Sequence, residues 1–262
     1  MPAVEEAEGD APEPAQRTRR SPALAVLYGF IAAIVVAVPT WWVATTEHNF
    51  AMPDPVSADG EEVVFAWRVL MSMATAVAMV VLVLLVVAVV SGARRKHASQ
   101  TKGSIPLELT YTAVPVALVA AIFALSLWVD AQIEDRTANE DLVVGVDAFR
   151  WGWRFTYPDG VEVVGGTSQG TEPVLVLPVD RTITFQLASD DVIHSFWVPS
   201  FTRKLDVVPG QDNELRVHPN VTGEYSGHCA EYCGLDHARM NFSVAVVEQD
   251  EFEQFLDEEG AR

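Results

Sequence analysis

Three long apolar segments constrain the fold of this chain more than any other feature of its sequence. They cover residues 23–44, 63–90 and 106–129. Each reaches the length of about 20 residues that a helix needs to span a bilayer. The run AMVVLVLLVVAVV in the second segment is apolar on every side, whereas a helix at the surface of a soluble core has a polar face. The sequence therefore predicts a membrane protein.

The first segment has two interpretations, a retained helix or a cleaved signal peptide. It follows a polar tail, residues 1–22, that has little to bury and is predicted to be disordered. Basic residues before an apolar run are typical of a signal peptide, but such a run is usually only about 7–15 residues long. The longer run here, with no A-x-A cleavage site after it, favours a retained helix. The other two segments predict a helical hairpin in either case.

The orientation of the helices is predicted by their basic flanks. Lys and Arg concentrate on the cytoplasmic side of membrane proteins. The connection over residues 45–62 contains neither residue type. The basic flanking residues lie in the N-terminal tail and in the second connection: Arg17, Arg19, Arg20, Arg94, Arg95, Lys96 and Lys102. We therefore expect residues 130–262 to form an extracytoplasmic domain of a multi-pass protein in the cell membrane.

Residues 130–262 are strongly acidic, with 25 Asp and Glu against 9 Lys and Arg. This balance argues against a nucleic-acid partner, whose phosphates need cationic side chains. The whole chain has only three lysines against fourteen arginines. An acid-rich, lysine-poor composition is typical of proteins from halophilic microbes. The alternative interpretation is a surface that docks a basic partner.

The acidic region also has a different structural pattern, with short apolar runs separated by Gly- and Pro-containing turns. Such runs predict the strands of a β-sandwich or small barrel. A short acidic helix is predicted over residues 250–259. The predicted strands cover residues 142–146, 153–157, 174–177, 182–187, 214–218 and 241–248. The sequence therefore predicts an α+β chain, in which transmembrane helices precede an all-β domain.

The stretch GHCAEYCGLDHARM is the strongest chemical motif of the chain. It contains both cysteines, Cys229 and Cys233, followed by His237 and Met240. A disulfide is one interpretation in an oxidising compartment, and a zinc site is another. Neither uses a thioether, whereas electron-transfer copper sites combine thiolate, imidazole and a weak axial thioether. Two bridging thiolates would allow two copper ions to share one unpaired electron.

A site with two copper ions needs a second terminal imidazole, for which there are three candidates. His194 lies in SDDVIHSFWVPS, at the end of a strand-like run, which is where a cupredoxin-like fold places its upstream ligand. His228 is adjacent to Cys229 and is expected to point away from the metal. His218 is expected to be an ordinary surface residue.

DVIHSFWVPSF, KLDVVPG and HCAEYCGLDHARM together closely resemble subunit II of the cytochrome c oxidases, which are haem-copper oxidases. The resemblance covers residues 105–247. It implies a cupredoxin-like sandwich that holds a binuclear copper centre, CuA. It also implies that the carboxylate of Glu231 binds magnesium at the interface with subunit I. The implied copper ligands are the imidazoles of His194 and His237, the thiolates of Cys229 and Cys233, the thioether of Met240 and the backbone carbonyl of Glu231.

The aromatic stretch FRWGWRFTYP has a role implied by the same resemblance. Alternation predicts that Trp151, Trp153, Phe155 and Tyr157 share one side of a strand. In the family, electrons enter at the first tryptophan of a similar strip. The resemblance thus implies that electrons enter at Trp151, with Trp153 as its partner. Gly152 departs from the aromatic residue usual between the two tryptophans.

Glu108 begins the third apolar segment, and acidic residues at a membrane edge tend to be functional. The pattern E-x-x-aromatic-T-x-x-P is matched by Glu108, Tyr111, Thr112 and Pro115. In the family this glutamate marks the entrance of a proton-uptake channel of subunit I. The predicted cytoplasmic position of Glu108 agrees with that role.

The sequence thus predicts the CuA subunit of a proton-translocating terminal oxidase. Its expected partners are subunit I, other oxidase subunits, the lipid membrane, and cytochrome c or a small blue copper protein as electron donor. One alternative is the CuA subunit of a nitric-oxide reductase. Another is a membrane-tethered cupredoxin that delivers copper. A quinol oxidase subunit would normally lack the two cysteines.

Overall fold

A computed structural model describes residues 22–46, 52–93, 103–138, 141–158 and 160–261. Residues 1–21 of the N-terminal tail and the seven basic flanking residues that predict the orientation lie outside the described residues. The four helices within the described part are α1 Pro22–Thr45, α2 Ala58–Ala93, α3 Ile105–Arg136 and α4 Gln249–Gly260. The strands are β1 Leu142–Phe149, β2 Gly152–Thr156, β3 Glu162–Gly166, β4 Val174–Pro178, β5 Ile183–Ser189, β6 His194–Val198, β7 Arg203–Val207, β8 Asn213–Val217, β9 Gly223–Cys229 and β10 Asn241–Val247.

Among the described residues, α1, α2 and α3 are long and apolar enough to cross a membrane, as the sequence predicts. Helix α2 packs against both α1 and α3. The Phe65 ring on α2 meets the Trp128 ring on α3 edge-on, with centroids 5.8 Å apart. The hairpin is therefore accompanied by one additional N-terminal helix.

Helices α2 and α3 both extend beyond the apolar segments of the sequence. Helix α2 has 36 residues, a length of about 54 Å against a hydrocarbon core of about 30 Å. Its first turn contains Asp59 and Glu61, which suit the positive end of the helix dipole. The predicted segment began only at residue 63, because hydropathy does not show that this charged turn belongs to the helix. Helix α2 therefore reaches out of the bilayer toward the β-domain, residues 141–261.

The β-domain is a sandwich of two five-stranded sheets, which confirms the predicted all-β architecture. The strand orders are β3-β2-β1-β5-β8 and β4-β10-β9-β6-β7. Strands β1 and β5 pair in parallel, as do β4 and β10. The sequence prediction missed β3, β6, β7 and β9. These strands are short or contain Gly, His and charged residues, so they lack a sustained apolar alternation.

Aromatic side chains fill the core between the sheets on the side of the predicted metal ligands. Trp153 meets Phe196 and Phe242 edge-on, at centroid distances of 5.8 and 5.3 Å. Phe196 stacks on Phe242 at 5.0 Å, and Phe155 meets Phe242 at 5.5 Å. All four side chains are buried. Such interlocked rings leave little freedom for the strands that carry them.

Replacing Gly227 with alanine is expected to lower the free energy of unfolding by about 1–3 kcal/mol, the usual cost of overpacking a filled core. Gly227 pairs with Phe242 across β9 and β10. A Cβ atom at Gly227 would overlap the Phe242 ring, which the other core rings hold in place. The measurement is denaturant unfolding of the detergent-solubilised chain, followed by tryptophan fluorescence.

The matched control is Gly145→Ala on β1. A Cβ atom there would begin at an ordinary contact distance of 3.4 Å from Thr156. Equal stabilities of the two variants would contradict the tight packing of Phe242 against Gly227.

Candidate metal centre

The predicted ligands come from two paired strands and the loop that follows one of them. His194 is the first residue of β6, and Cys229 is the last residue of β9. Phe196 on β6 pairs with Cys229 on β9, so these two strand ends lie side by side. Cys233, His237 and Met240 lie on the loop between β9 and β10. The loop therefore folds back over the end of the sandwich, beside β6.

Cys229 lies at the centre of one half of the cluster. Its Sγ atom is 3.8 Å from Nδ1 of His194 and 3.3 Å from the backbone oxygen of Glu231. The two cysteine Sγ atoms are 3.8 Å apart. The ligand atoms of His194, Cys229 and Cys233 all lie within 4.8 Å of one another.

Cys233 lies at the centre of the other half. Its Sγ atom is 3.6 Å from Nδ1 of His237 and 3.7 Å from Sδ of Met240. Met240 is fully buried, so its thioether faces the cluster and not solvent. The two halves share the pair of sulfur atoms, and each half has one imidazole and one weak donor.

This donor set fits copper better than the alternatives that the sequence left open. Both thiols are free, so the structure contains no disulfide between them. Their separation allows one ion to contact both sulfurs at a usual metal–thiolate distance of about 2.3 Å. A structural zinc site has no use for the buried thioether of Met240, whereas soft sulfur ligands favour copper.

The two thiols have unequal acidities without a metal. Burial opposes ionisation of Cys229, but its contact with His194 lowers its pKa below that of an ordinary thiol. Burial raises the pKa of Cys233, and so does the neighbouring thiolate of Cys229. Neutral solution therefore leaves a proton on Cys233, and a bridging metal has to displace it. Copper uptake should accordingly become more favourable as the pH rises.

The ring of His194 is oriented by Asp191, a residue that the sequence prediction missed. Nε2 of His194 lies 2.9 Å from Oδ1 of Asp191. Burial raises the pKa of Asp191, but hydrogen bonds from His194 and the Val192 N–H lower it to about 2. The ionised carboxylate therefore keeps the proton of His194 on Nε2. A metal bound at Nδ1 would therefore take the place of any proton that Nδ1 shares with Cys229, while Nε2 keeps its hydrogen bond to the carboxylate, the usual arrangement of a metal-binding histidine.

Arg150 holds Asp191 from the other side. Its backbone N–H and its Nε–H both donate to Oδ2 of Asp191, at 2.9 and 3.1 Å. The sequence contains a signal for this role, since two acidic residues precede His194 in SDDVIH. A metal-binding histidine commonly donates its second ring N–H to such a carboxylate.

The other two candidate histidines lie away from the cluster. Nδ1 of His228 is 3.0 Å from Oδ1 of Asn241, so this ring points away from the sulfurs, as predicted. His218 is not the surface residue that we expected. It is half-buried, and its Nδ1 lies 3.1 Å from the Thr182 hydroxyl.

Trp151 lies in the turn between β1 and β2, immediately before the strand that carries Trp153 and Phe155. It is half-buried and packs against the same core cluster as Trp153, Phe155 and Tyr157, in agreement with the predicted alternation. Those three side chains are buried in the core, as the alternation predicts.

The turn also brings Trp151 onto the cysteine loop. Its indole N–H donates to the backbone oxygen of Cys233 at 3.2 Å. A Cβ atom at Gly234 would lie 3.1 Å from the indole, and Gly234 has a φ of +124°. Both observations explain a glycine at this position. Trp153 also reaches the site, since its indole N–H points to the backbone oxygen of Met240 at 3.4 Å.

Gly152 stands where the resembled family usually has an aromatic residue, and this difference has a steric explanation. Gly152 pairs with Gly166 across β2 and β3. A Cβ atom at Gly152 would overlap the Gly165 carbonyl and lie 2.9 Å from the Phe149 ring. A large side chain therefore cannot occupy this position unless β3 moves away.

The two glutamates with implied roles are both exposed. Glu231 turns its backbone oxygen toward Cys229, while its side chain lies on the exposed side of the loop. Glu108 is in the first turn of α3, where its carboxylate accepts the Ser104 N–H at 3.2 Å. It is at the end of α3 remote from the β-domain, about 40 Å along the helix from Arg136.

Comparisons with known proteins agree with this arrangement. The family described as "Cytochrome C oxidase subunit II, transmembrane domain" matches residues 45–129. The family described as "Cytochrome C oxidase subunit II, periplasmic domain" matches residues 165–247. The first match covers the α2–α3 hairpin and begins at the last residue of α1.

Two curated relatives and one solved structure are similar over different parts of the chain. A probable cytochrome c oxidase subunit 2 of Streptomyces avermitilis is 30% identical, with 88% of this chain and 85% of the relative covered. Cytochrome c oxidase subunit 2 of Mycobacterium bovis is 32% identical, with 59% and 58% covered. The periplasmic domain of subunit II of the Bradyrhizobium japonicum cytochrome oxidase is 33% identical. That comparison covers 48% of this chain and 97% of the other, with a TM-score of 0.44.

Proposed function

The chain belongs to the cytochrome c oxidase subunit II family and is a copper-binding subunit of an oxidoreductase complex, and we propose on that basis how its residues serve electron transfer. The observation that carries the proposal is the pair of free thiols 3.8 Å apart, each with its own imidazole. A bound binuclear copper centre would accept and release one electron at a time. The proposed ligands are His194, Cys229, the Glu231 carbonyl, Cys233, His237 and Met240.

The protein around these ligands keeps their geometry fixed between the two oxidation states. Trp153 and Phe196 pack behind the ligands, and His194 lies 6.3 Å from the Trp153 ring. Asp191 fixes the orientation of the His194 ring. The buried side chains exclude water from the inner side of the cluster. Fixed ligands and a dry environment both reduce the rearrangement that accompanies electron transfer.

Electrons are proposed to enter through Trp151. Its indole is half-buried and is bonded to the backbone of Cys233, so one side chain connects the surface directly to the ligand loop. Trp153 is fully buried behind the cluster and serves as packing support rather than a surface contact. The proposed donor is cytochrome c or a small blue copper protein.

Glu231 is proposed to join the copper site to subunit I. Its carbonyl faces Cys229 and its carboxylate faces outward, so one residue can contact two metals. The carboxylate is a hard oxygen donor, as magnesium requires. Haem in subunit I is the proposed acceptor of the electrons, and oxygen is reduced to water in that subunit.

Proton uptake is proposed to use the opposite side of the membrane. Glu108 lies at the end of α3 remote from the β-domain, which would place it at the cytoplasmic surface if the β-domain is outside. Its carboxylate caps its own helix and remains exposed. There it would mark the entrance of a proton channel of subunit I and support coupled proton translocation.

The two rival functions are less well supported. The curated relatives described above are named as cytochrome c oxidase subunits, and their names do not indicate a nitric-oxide reductase. A copper-delivery protein needs exchangeable metal. Here His194, Cys229, Cys233 and Met240 are buried. The His194 ring is also fixed by Asp191, which Arg150 holds in turn.

The test is to purify the complex that contains this chain, count its copper and record the electron paramagnetic resonance spectrum. We expect two copper ions per chain that share one unpaired electron. Magnesium content should fall in Glu231→Gln, while the copper spectrum remains. A single blue-type copper, or a Cys229–Cys233 disulfide without copper, would overturn the proposal.

A further inference from the structure

The outer end of α2 is joined to the β-domain by a set of backbone hydrogen bonds. The Val56 N–H donates to the Ser200 oxygen at 3.1 Å, and the Ala58 N–H donates to the His218 oxygen at 2.9 Å. The Asn220 N–H donates to the Val56 oxygen at 3.0 Å. We call this contact, between residues 56–60 and the segments 200–203 and 218–220, the α2 clamp. It is a second attachment, separate from the covalent link between α3 and β1.

Asp59 is the charged residue at the centre of the α2 clamp, and it is fully buried. Its Oδ1 accepts the His218 N–H at 3.0 Å. Its Oδ2 lies 3.7 Å from Nη1 of Arg203 and has no hydrogen-bond partner among the described residues. Burying a carboxylate is costly unless it is paired, and removing one partner of such a pair is strongly destabilising. The carboxylate therefore favours one docked arrangement over others that would leave it unpaired.

Gly60 allows the contact to be this close. A Cβ atom at Gly60 would lie 2.7 Å from the Ser57 hydroxyl oxygen, 3.1 Å from Oγ1 of Thr202 and 3.3 Å from the Phe201 oxygen. A side chain at this position would push α2 away from the turn after β6.

The clamp acts on the same two strands that carry copper ligands. Strand β6 begins at His194 and leads directly into the turn that contains Ser200. Strand β9 ends at Cys229, and the loop that precedes it contains Asn220. The clamp and the metal site thus lie at opposite ends of these strands, and the length of β6 is about 13 Å. A tilt at the clamp would displace the ligands at the far end.

We infer that Asp59 is a positioning residue, which locks the β-domain onto α2 and thereby sets the position of the metal site relative to subunit I. The inference rests on the proposed function, because it assigns Asp59 to the step from this chain to the haem. It places no demand on the step from the donor to copper, in which the residues of this chain that take part all lie in the β-domain.

The test compares four variants in the assembled oxidase complex. Asp59→Leu removes the acceptor oxygens and the charge, whereas Asp59→Asn keeps an acceptor for the His218 N–H. Gly60→Val disturbs the clamp without changing Asp59. The control is Glu61→Gln, since Glu61 is exposed and glutamine keeps an acceptor for the Asn220 side chain.

Two readouts separate positioning from a general loss of structure. Electron transfer from copper to haem should slow several-fold in Asp59→Leu and Gly60→Val, because its rate depends on the distance between the copper site and the haem. Asp59→Asn should recover part of that loss, and Glu61→Gln should match the wild type. Copper content, the copper spectrum and the rate from donor to copper should stay unchanged. Hydrogen exchange at the His218 amide should quicken in Asp59→Leu.

The outcomes distinguish this inference from the proposed function. A wild-type complex without the delocalised copper spectrum would remove the proposed function itself. If that spectrum is present and all four variants transfer electrons to haem at the wild-type rate, the positioning role is wrong. Equal slowing of both electron-transfer steps, or loss of copper in the Asp59 and Gly60 variants, would also contradict it, because the clamp would then maintain the fold of the site and not its placement.

Discussion

Replacing Cys229 with serine is expected to remove the shared-electron copper spectrum and to lower oxidation of the external donor by more than about 100-fold. Cys229 contacts His194, the Glu231 carbonyl and Cys233 within 3.8 Å. Serine supplies a hard, weakly acidic oxygen in place of a soft thiolate, so it cannot bridge copper in the same way. Changes to residues that only support metal ligands already cost about 10–100-fold. Loss of a bridging ligand should exceed that range.

Cys233→Ser should have a comparable effect, since the two sulfurs are shared by both halves of the cluster. The measurements are copper content, the paramagnetic resonance spectrum and the rate of donor oxidation. Tyr232→Phe is the matched control in the same loop, because Tyr232 is 75% exposed and its ring contact with His237 would be kept. A Cys229→Ser complex that retains the delocalised spectrum would show that the bridging role is wrong.

A small reductant that delivers electrons directly to subunit I separates two causes of lost activity. If the variant subunit still assembles, oxygen consumption with that reductant should continue while donor oxidation fails. Loss of both activities would indicate that the complex had not assembled. The wild-type and variant complexes would then have to be compared at equal amounts of assembled complex.

The membrane helices and the ligand loop could be predicted because their signals are local. An apolar run of bilayer length has few structural alternatives. The motif around Cys229 and Cys233 concentrates soft ligands within one short loop, so the sequence already indicates that both thiolates can face one point. His194 was found because it lies at a change from polar to aromatic residues at the end of a strand-like run. In each case the signal lies within about a dozen residues of sequence.

The contacts between distant segments could not be predicted in this way. Asp59 contacts the backbone of His218, 159 positions later in the chain. Asp191 contacts Arg150, 41 positions earlier. The turn at Trp151 was missed because alternation alone cannot show where a strand begins, and its position depends on pairing between β1 and β2. Such residues need the assembled sandwich before their partners are known.

Replacing Trp151 with phenylalanine is expected to slow electron transfer from the donor to copper by more than about tenfold, while transfer from copper to haem is unchanged. The substitution keeps an aromatic ring against Gly234 but removes the indole N–H that donates to the Cys233 oxygen. Loss of a neutral hydrogen bond of about 0.5–1.5 kcal/mol would change a rate by only about two- to tenfold. A larger effect therefore requires that the indole itself lies on the electron path.

The control is Trp197→Phe, which alters a half-buried tryptophan on β6 that faces His228 rather than the cysteine loop. Its rate from donor to copper should equal that of the wild type. Rapid-mixing absorbance at the copper band gives the first step, and haem absorbance gives the second. A slowing of less than tenfold in Trp151→Phe, together with a shifted copper spectrum, would mean that Trp151 only supports the Cys233 backbone. Electrons would then enter through another exposed part of the loop, for which Leu235, 87% exposed, is the next residue to replace.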